Sequence, residues 1–285
     1  MYKIDYHVHT VYSPDGENSF EDMLKAAGKA GIDEIIFTDH VECNLNESIP
    51  PEFDRWPEFD GSDYVKTLNR LSIDGFQRLN PENSEPKKNG YIKYGVGIEL
   101  GQATQNPKKA DEILNFYDWD YVLGSLHNLR GGYDFYYLYR MGTEIKPLMK
   151  DYFEQLYELC VDNKFSVLSH LYYPVKYIYN QGDNIDISRY KAEISDIFKV
   201  IIHNGKGIEI NTSAVGLSYN DTNPNLEIIK LYRQMGGEII TVGSDSHGKE
   251  NIGKGFSLAE EYLLRAGFRF LTVFRKQRPV FVDIS

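Results

Sequence analysis

The sequence predicts a closed α/β barrel of parallel strands, and three observations carry that reading. Short apolar runs alternate with amphipathic segments in seven strand-then-helix units, the pattern of parallel strands joined by helical crossovers. The chain has 285 residues, a length that α/β barrels fill as one domain. No GxGxxG fingerprint follows the first strand, which puts an open doubly wound sheet in second place.

Each element has a local reason. Lys3–Tyr6 reads as the first strand. Phe20–Ala30 reads as a helix, with Ser19 as N-cap, Asp22 in the capping-box position and Gly31 as the stop. Glu34–Thr38 is a second buried strand. Tyr64–Leu79 is predicted as a helix ended by Pro81, Tyr91–Ile98 as a strand and Ala110–Phe116 as a short helix. Tyr121–Gly124 is a strand, and Glu144–Val161 a long helix that tolerates Pro147 in its first turn. Ser166–Leu168, Gly207–Ile210 and Glu238–Val242 are strands, interleaved with helices at Tyr190–His203 and Asn225–Gln234. Leu258–Ala266 is the last helix, followed by the apolar run Phe268–Phe274.

The whole of 1–285 is expected to form a single domain. Segment 44–63 is acidic and proline-containing, and its aromatics are Phe53, Trp56 and Phe59. It reads as a self-packed loop, with a lid over the barrel mouth as the alternative.

Composition narrows the function. Lys plus Arg is 31 and Asp plus Glu is 42, a formal net charge of −11. A chain so acidic lacks the footprint of a nucleic-acid binder and disfavours anionic membranes. No apolar run of roughly 18 residues is present, so no transmembrane helix is expected. The N-terminal MYKIDYHVHT has neither the basic region nor the apolar stretch of a signal peptide. Two cysteines, Cys43 and Cys160, make no disulfide framework. A cytoplasmic protein follows as the expectation.

The seven histidines are the most informative residues. His7 and His9 follow strand one, His40 follows strand two, His127 strand four, His170 strand five and His247 strand seven. Glu99 closes strand three and Asp245 follows strand seven. Residues just beyond parallel barrel strands gather at one face, so six imidazoles and two carboxylates should converge. In His7-x-His9 the period of two along a strand puts both rings on one side. Imidazole and carboxylate together suit zinc, iron or manganese. His203, near a helix C-terminus, reads as structural.

These residues sit in motifs that run through most of the chain: DYHVHTVYSPDG at 5–16, FTDHVE at 37–42, GIEL at 97–100, GSLHNL at 124–129, LSHL at 168–171, IEINTSA at 208–214 and GSDSH at 243–247. Taken in order, they resemble the PHP (polymerase and histidinol phosphatase) family of metallo-phosphoesterases. The SPDG and INTSA segments point to its histidinol phosphatase branch. The resemblance implies a distorted, TIM-like (β/α)7 barrel with three divalent ions (zinc, manganese or iron) at the C-terminal face. It implies that His7, His9, Glu99 and Asp245 hold one ion. Glu99 would bridge to a second, held also by His127 and His170, while Asp15, His40 and His247 hold the third. Some family members carry histidine where this chain has Asp15; a carboxylate is equally able to bind these metals. Glu17 is the alternative there, though it reads better as a solvated loop acid. Asp39 is expected behind the ligands, accepting an imidazole N–H. Glu42 and Ser125 are further candidates to line the site.

The activity implied is hydrolysis of L-histidinol phosphate to L-histidinol and phosphate, a step of histidine biosynthesis, by attack of a metal-bridging hydroxide. Asp245 would orient the nucleophile and relay a proton; Asp15 or His247 would act on the leaving oxygen. Phosphate calls for guanidinium partners. Arg140 and Arg189 are the preferred pair, with Arg130 beside them and Lys176 as a weaker candidate. The partner is thus a small phosphomonoester, not nucleic acid or membrane. The alternatives are a PHP phosphoesterase for another small monoester or nucleotide, an amidohydrolase, and a non-catalytic metal-binding module. An amidohydrolase would place a bridging lysine where Glu99 stands, and loss of several ligands would mark the module.

Overall fold

The computed structural model describes residues 2–44, 47–79, 90–138, 142 and 144–284. The first strand, β1 (Ile4–Val8), is buried at every position, as a strand covered on both faces must be. Helix α1 (Phe20–Ala30) buries Phe20, Met23, Leu24 and Ala27, the i, i+3, i+4, i+7 stripe of an amphipathic helix. The Ser19 hydroxyl accepts the Asp22 N–H at its start, and Gly31, at φ 72°, ends it in the left-handed region.

The remaining elements follow in order: β2 (Glu34–Phe37), β3 (His40–Glu42), α2 (Gly61–Arg70), β4 (Phe76–Arg78), β5 (Ile92–Gly101), α3 (Pro107–Phe116), β6 (Tyr121–Ser125), α4 (Ile145–Asp162), β7 (Val167–Leu168), α5 (Pro174–Asn180), α6 (Lys191–His203), β8 (Gly207–Asn211), α7 (Leu226–Gln234), β9 (Ile240–Gly243), α8 (Phe256–Arg265), β10 (Phe270–Arg275) and β11 (Arg278–Asp283).

The main sheet runs β1-β2-β5-β6-β7-β8-β9 and is parallel throughout. Strand β3 continues the line of β2 and pairs with the upper part of β5, His40 opposite Glu99. β4 pairs with Ile92–Tyr94 of β5, on the edge that β6 takes over from Gly97 onward. The two ends of the sheet meet through a parallel bridge between Val8 and Ser246, where the His9 N–H donates to the Ser246 carbonyl at 2.9 Å. The result is the seven-strand barrel that the alternation predicts.

The β10–β11 hairpin packs against the opposite end. Arg275 grips the Glu34 carboxylate with both guanidinium nitrogens, at 2.6 and 2.8 Å. Tyr2 and Tyr6 donate to the same carboxylate, and the Phe274 N–H donates to the Tyr6 hydroxyl.

Three departures from the sequence reading have local causes. α2 stops at Arg70, where Tyr64–Leu79 was expected as one helix; Leu71 is already extended, at ψ 122°, Gly75 turns the chain at φ 87°, and Phe76–Arg78 forms a strand instead. Pro81, read as the helix stop, lies outside the described residues. α3 starts at Pro107 rather than Ala110, because Asn106 caps it by accepting the Lys109 N–H. Phe268–Phe274 proves to be the first arm of a hairpin, turned by Lys276 and Gln277, both at positive φ. No helix among the described residues is long and apolar enough to cross a membrane.

Candidate metal centre

The barrel mouth gathers the six strand-end histidines around Glu99. His7 and His9 lie on one side of the β1 line with ring centroids 5.0 Å apart, and both are fully buried. His7 Nε2 lies 3.2 Å from Glu99 Oε2 and 3.4 Å from Asp245 Oδ1. His9 Nε2 lies 3.5 and 3.3 Å from the same two oxygens. On the other side of Glu99, Oε1 lies 3.1 Å from His127 Nε2 and 2.9 Å from His170 Nε2, and these two nitrogens are 3.3 Å apart. A third group forms at the rim: His247 Nε2 is 3.3 Å from Asp15 and 3.4 Å from His40 Nε2, with Asp15 3.8 Å from His40. Asp245 adopts φ 53°, a left-handed conformation that aspartate tolerates better than most residues.

A second layer fixes the rings. His7 Nδ1 meets Glu209 at 2.8 Å and His127 Nδ1 meets Glu42 at 2.9 Å. His9 Nδ1 meets Ser13 Oγ at 3.0 Å, and His247 Nδ1 donates to the Asp245 carbonyl at 3.1 Å. With Nδ1 engaged as the donor, Nε2 is the lone-pair nitrogen, and in all four rings it points inward.

The chemistry of this donor set fits divalent metal ions. His7 Nε2 and His9 Nε2 are buried and make no hydrogen bond, and His40 Nδ1 and Glu99 Oε2 have only each other, 2.9 Å apart, an arrangement that is costly unless another partner completes it. The electrostatics agree. Burial works to raise the Glu99 carboxyl, but His7, His127 and His40 hold it well below the usual carboxylate range. Asp245 is held down against its burial by His7 and Lys176. Burial pushes the His9 imidazole well below its ordinary value, with His247 and His40 adding to the effect. Burial also opposes protonation of His40, yet Glu99 lifts it to about 9. Groups this dependent on one another for charge exchange protons for cations readily.

Some expected residues lie elsewhere. Asp39 does not touch an imidazole. It accepts from the Thr10 N–H at 2.6 Å, the Thr10 hydroxyl at 3.0 Å and the Ser13 hydroxyl at 2.7 Å. Ser13 in turn reaches His9 and accepts the His40 N–H at 3.0 Å, so Asp39 acts on the ring through a serine. Arg189 is 78% exposed and pairs with Asp186 of its own turn. Arg130 pairs with Glu158 on the surface. Both pairs lie in solvent, and among the described residues neither arginine contacts the centre. Arg140 lies outside the described residues. Lys176 does reach the centre, its Nζ 3.8 Å from Asp245 Oδ2. Ser125 is buried at the end of β6, and its hydroxyl makes no hydrogen bond. Glu17 and His203 are exposed.

Glu209 escaped the sequence reading. Its signal is a lone acid between Ile208 and Ile210 in a fully buried strand, and only the fold shows that His7 is its partner. Of the 44–63 segment, the described residues 47–63 stand beside the centre. Trp56 stacks at 5.9 Å from the His40 ring, and Phe53 packs on Tyr137 at 4.9 Å. A cavity of about 260 Å³ adjoins Trp56 and His40, lined also by Glu42, Asn44, Glu47 and Glu58.

Comparison with known proteins agrees with this arrangement. The PHP domain family model matches residues 5–213. A probable histidinol-phosphatase of Clostridium acetobutylicum is 30% identical over 259 residues, 90% of each chain. One of Thermotoga maritima is 26% identical over 273 residues, 95% of each. The crystal structure of histidinol phosphate phosphatase from Lactococcus lactis, complexed with zinc, L-histidinol and phosphate, superposes with a TM-score of 0.76 at 21% identity, covering 98% of both chains. That last likeness is one of fold.

Proposed function

The chain belongs to the PHP domain family, and from that premise we propose that it is a metal-dependent phosphomonoesterase that hydrolyses L-histidinol phosphate to L-histidinol and phosphate, a step of histidine biosynthesis. The observation that carries this reading is the convergence of three donor groups on the two oxygens of Glu99 and the rim beside it. His7, His9, Glu99 and Asp245 would hold one ion, Glu99, His127 and His170 a second, and Asp15, His40 and His247 a third. Bound there, divalent ions lower the pKa of a shared water towards neutrality and offset charge on phosphoryl oxygens.

The chain's own residues do the rest. Glu209 and Glu42 keep Nε2 of His7 and His127 turned inward. Asp245, kept ionised, orients the attacking water with Oδ1 while Asn211 anchors Oδ2 at 3.3 Å. Asp15 and His247 stand at the solvent edge, where the departing alkoxide has bulk water within reach as a proton source. Trp56 covers the His40 side and limits which esters enter. Two buried free cysteines suit a reducing compartment, which supports a cytoplasmic enzyme.

The test is phosphate release from L-histidinol phosphate against a panel of small phosphomonoesters, with manganese or zinc supplied. The expected outcome is strong preference for L-histidinol phosphate, lost in His170→Ala. Preference for another ester would replace the substrate and keep the reaction. Inactivity of fully metallated protein on every ester would overturn the reading.

A further inference from the structure

At the end of the barrel opposite the metal centre, a cavity of about 250 Å³ opens between the β10–β11 hairpin and the turn that leads into β9. Phe268, Phe270 and Phe281 line it together with Arg233, Glu238 and Arg269. The hairpin's register explains two of the rings. Phe270 pairs with Asp283 and Thr272 with Phe281, so Phe270 and Phe281 are diagonal neighbours on one face of the two strands. Thr272, on that same face, is buried and accepts the Ile240 N–H at 3.1 Å. The face is therefore turned towards the start of β9, and the two phenylalanines, each 46% exposed, flank the cavity instead of entering the core.

The third ring is the buried one. Phe268 is 4% exposed and stacks on Tyr232 with centroids 6.5 Å apart. The Arg233 guanidinium lies 5.3 Å from its centroid and donates to the Gly237 carbonyl at 3.3 Å. Glu238 is 3.7 Å from Arg233, beyond hydrogen-bond reach. The Arg269 backbone is fixed by accepting the Ile284 N–H at 2.9 Å, while its exposed side chain pairs with no carboxylate among the described residues.

Aromatic walls with a few placed charges are the make-up of a small-molecule site. A cavity of roughly 150 Å³ takes a benzene ring, so this one takes a ring and a short arm. Charge selects the end of the arm. Two guanidiniums against one carboxylate make a cationic spot on a chain whose formal net charge is −11, and a guanidinium fork matches a carboxylate in geometry. We propose that this cavity binds a small aromatic carboxylate, its ring among Phe268, Phe270 and Phe281 and its acid on Arg269. The site shares no residue with the metal centre and stands whichever ester that centre hydrolyses.

The experiment is calorimetric titration of the manganese-loaded full chain with 3-phenylpropionate. A ligand of this size is expected to bind with a Kd on the order of 0.1–1 mM. Arg269→Gln should weaken it by at least about fivefold, because a charge-assisted contact is lost; the neutral 3-phenylpropan-1-ol should bind the wild type more weakly by a similar factor. Phe281→Ala should weaken the acid by at least about threefold. Both substitutions fall on exposed side chains, and an unchanged thermal midpoint checks that the fold is kept. His170→Ala, altered in the metal centre, should bind the acid as the wild type does. Absence of saturable binding overturns the assignment. So does binding that Arg269→Gln leaves unchanged, and its loss in His170→Ala would then place the acid at the metal centre. A wild-type dimer in sedimentation that Phe281→Ala dissociates, with no uptake of the probe, also overturns the assignment and gives the aromatic face to a second copy of the chain.

Discussion

Glu209 shows how much a single side chain behind the centre can control. One carboxylate oxygen holds His7 Nδ1 and the other accepts the His170 N–H at 3.0 Å, so it aligns residues of two donor groups at once. Glu209→Ala leaves both donors unpartnered in a buried site, and metal affinity should fall by about 10-fold to 100-fold. Titration against a competing chelator checks this, and unaltered affinity would show that the ring needs no such support. The two cysteines make a second prediction. Burial, reinforced by Glu42, pushes the Cys43 thiol up to about 12, and burial alone pushes Cys160 well above its ordinary value. Thiolate is the reactive form, and its fraction falls about tenfold for each unit that the pKa rises above the ambient pH. At pH 8 the native protein should show no fast-reacting thiol towards a disulfide reagent, and two after denaturation. The strand-end histidines were legible in the sequence because their placement repeats from unit to unit. Glu209 was not, and Lys176 only as a weaker candidate: a lone acid in a strand reads the same whether its partner is arginine or histidine, and the seven-residue α5 is too short to announce itself by periodicity.

Among elements, the β10–β11 hairpin depends most on one contact. Arg275 satisfies both oxygens of the buried Glu34 at the start of β2. Removing one member of a buried pair strands the other charge, which costs about 3–5 kcal/mol. Arg275→Met should lower the free energy of urea unfolding by that amount, while Lys276→Met, beside it at the turn and partly exposed, should change it by less than about 1 kcal/mol. Equal effects would mean that the pair does not anchor the hairpin. Elements with caps and a clean stripe, such as α1, were legible in advance. The hairpin was not, because its turn is Lys276-Gln277 and lacks the Asn-Gly or Asp-Gly signal. The over-long reading of α2 has a similar cause: Ile73 and Phe76 extend a helical apolar stripe, but the backbone already turns extended at Leu71, at ψ 122°.

At the scale of the molecule, the donors come from β1, β3 and β5 and from the segments that follow β1, β6, β7 and β9, so bound ions would tie together strands around the barrel. Ligands that bind only the folded state stabilise it by mass action. Chelation should therefore lower the midpoint of thermal unfolding by several degrees, an order set by about 2–4 °C per kcal/mol for a chain of this size. Because the imidazoles must be deprotonated to bind, metal retention should fall as the pH is lowered from about 7 to about 5; elemental analysis after dialysis at each pH reads this directly, and equal retention would argue against histidine ligation. The barrel itself was legible from strand–helix alternation. Its closure was expected from the number of units and the chain length, but the residues that close it were not, since nothing in a local pattern reveals that Val8 will meet Ser246. That closure has a consequence for biosynthesis. The Asp5 carboxylate accepts from Ser244, 239 residues further along the chain, and His7 finds Asp245 in the same seam. On the ribosome, the first strand emerges long before its last partner has been translated. The first donor group is complete only once Asp245 has joined His7 in that seam, so its ion is expected to be bound late in synthesis or after it.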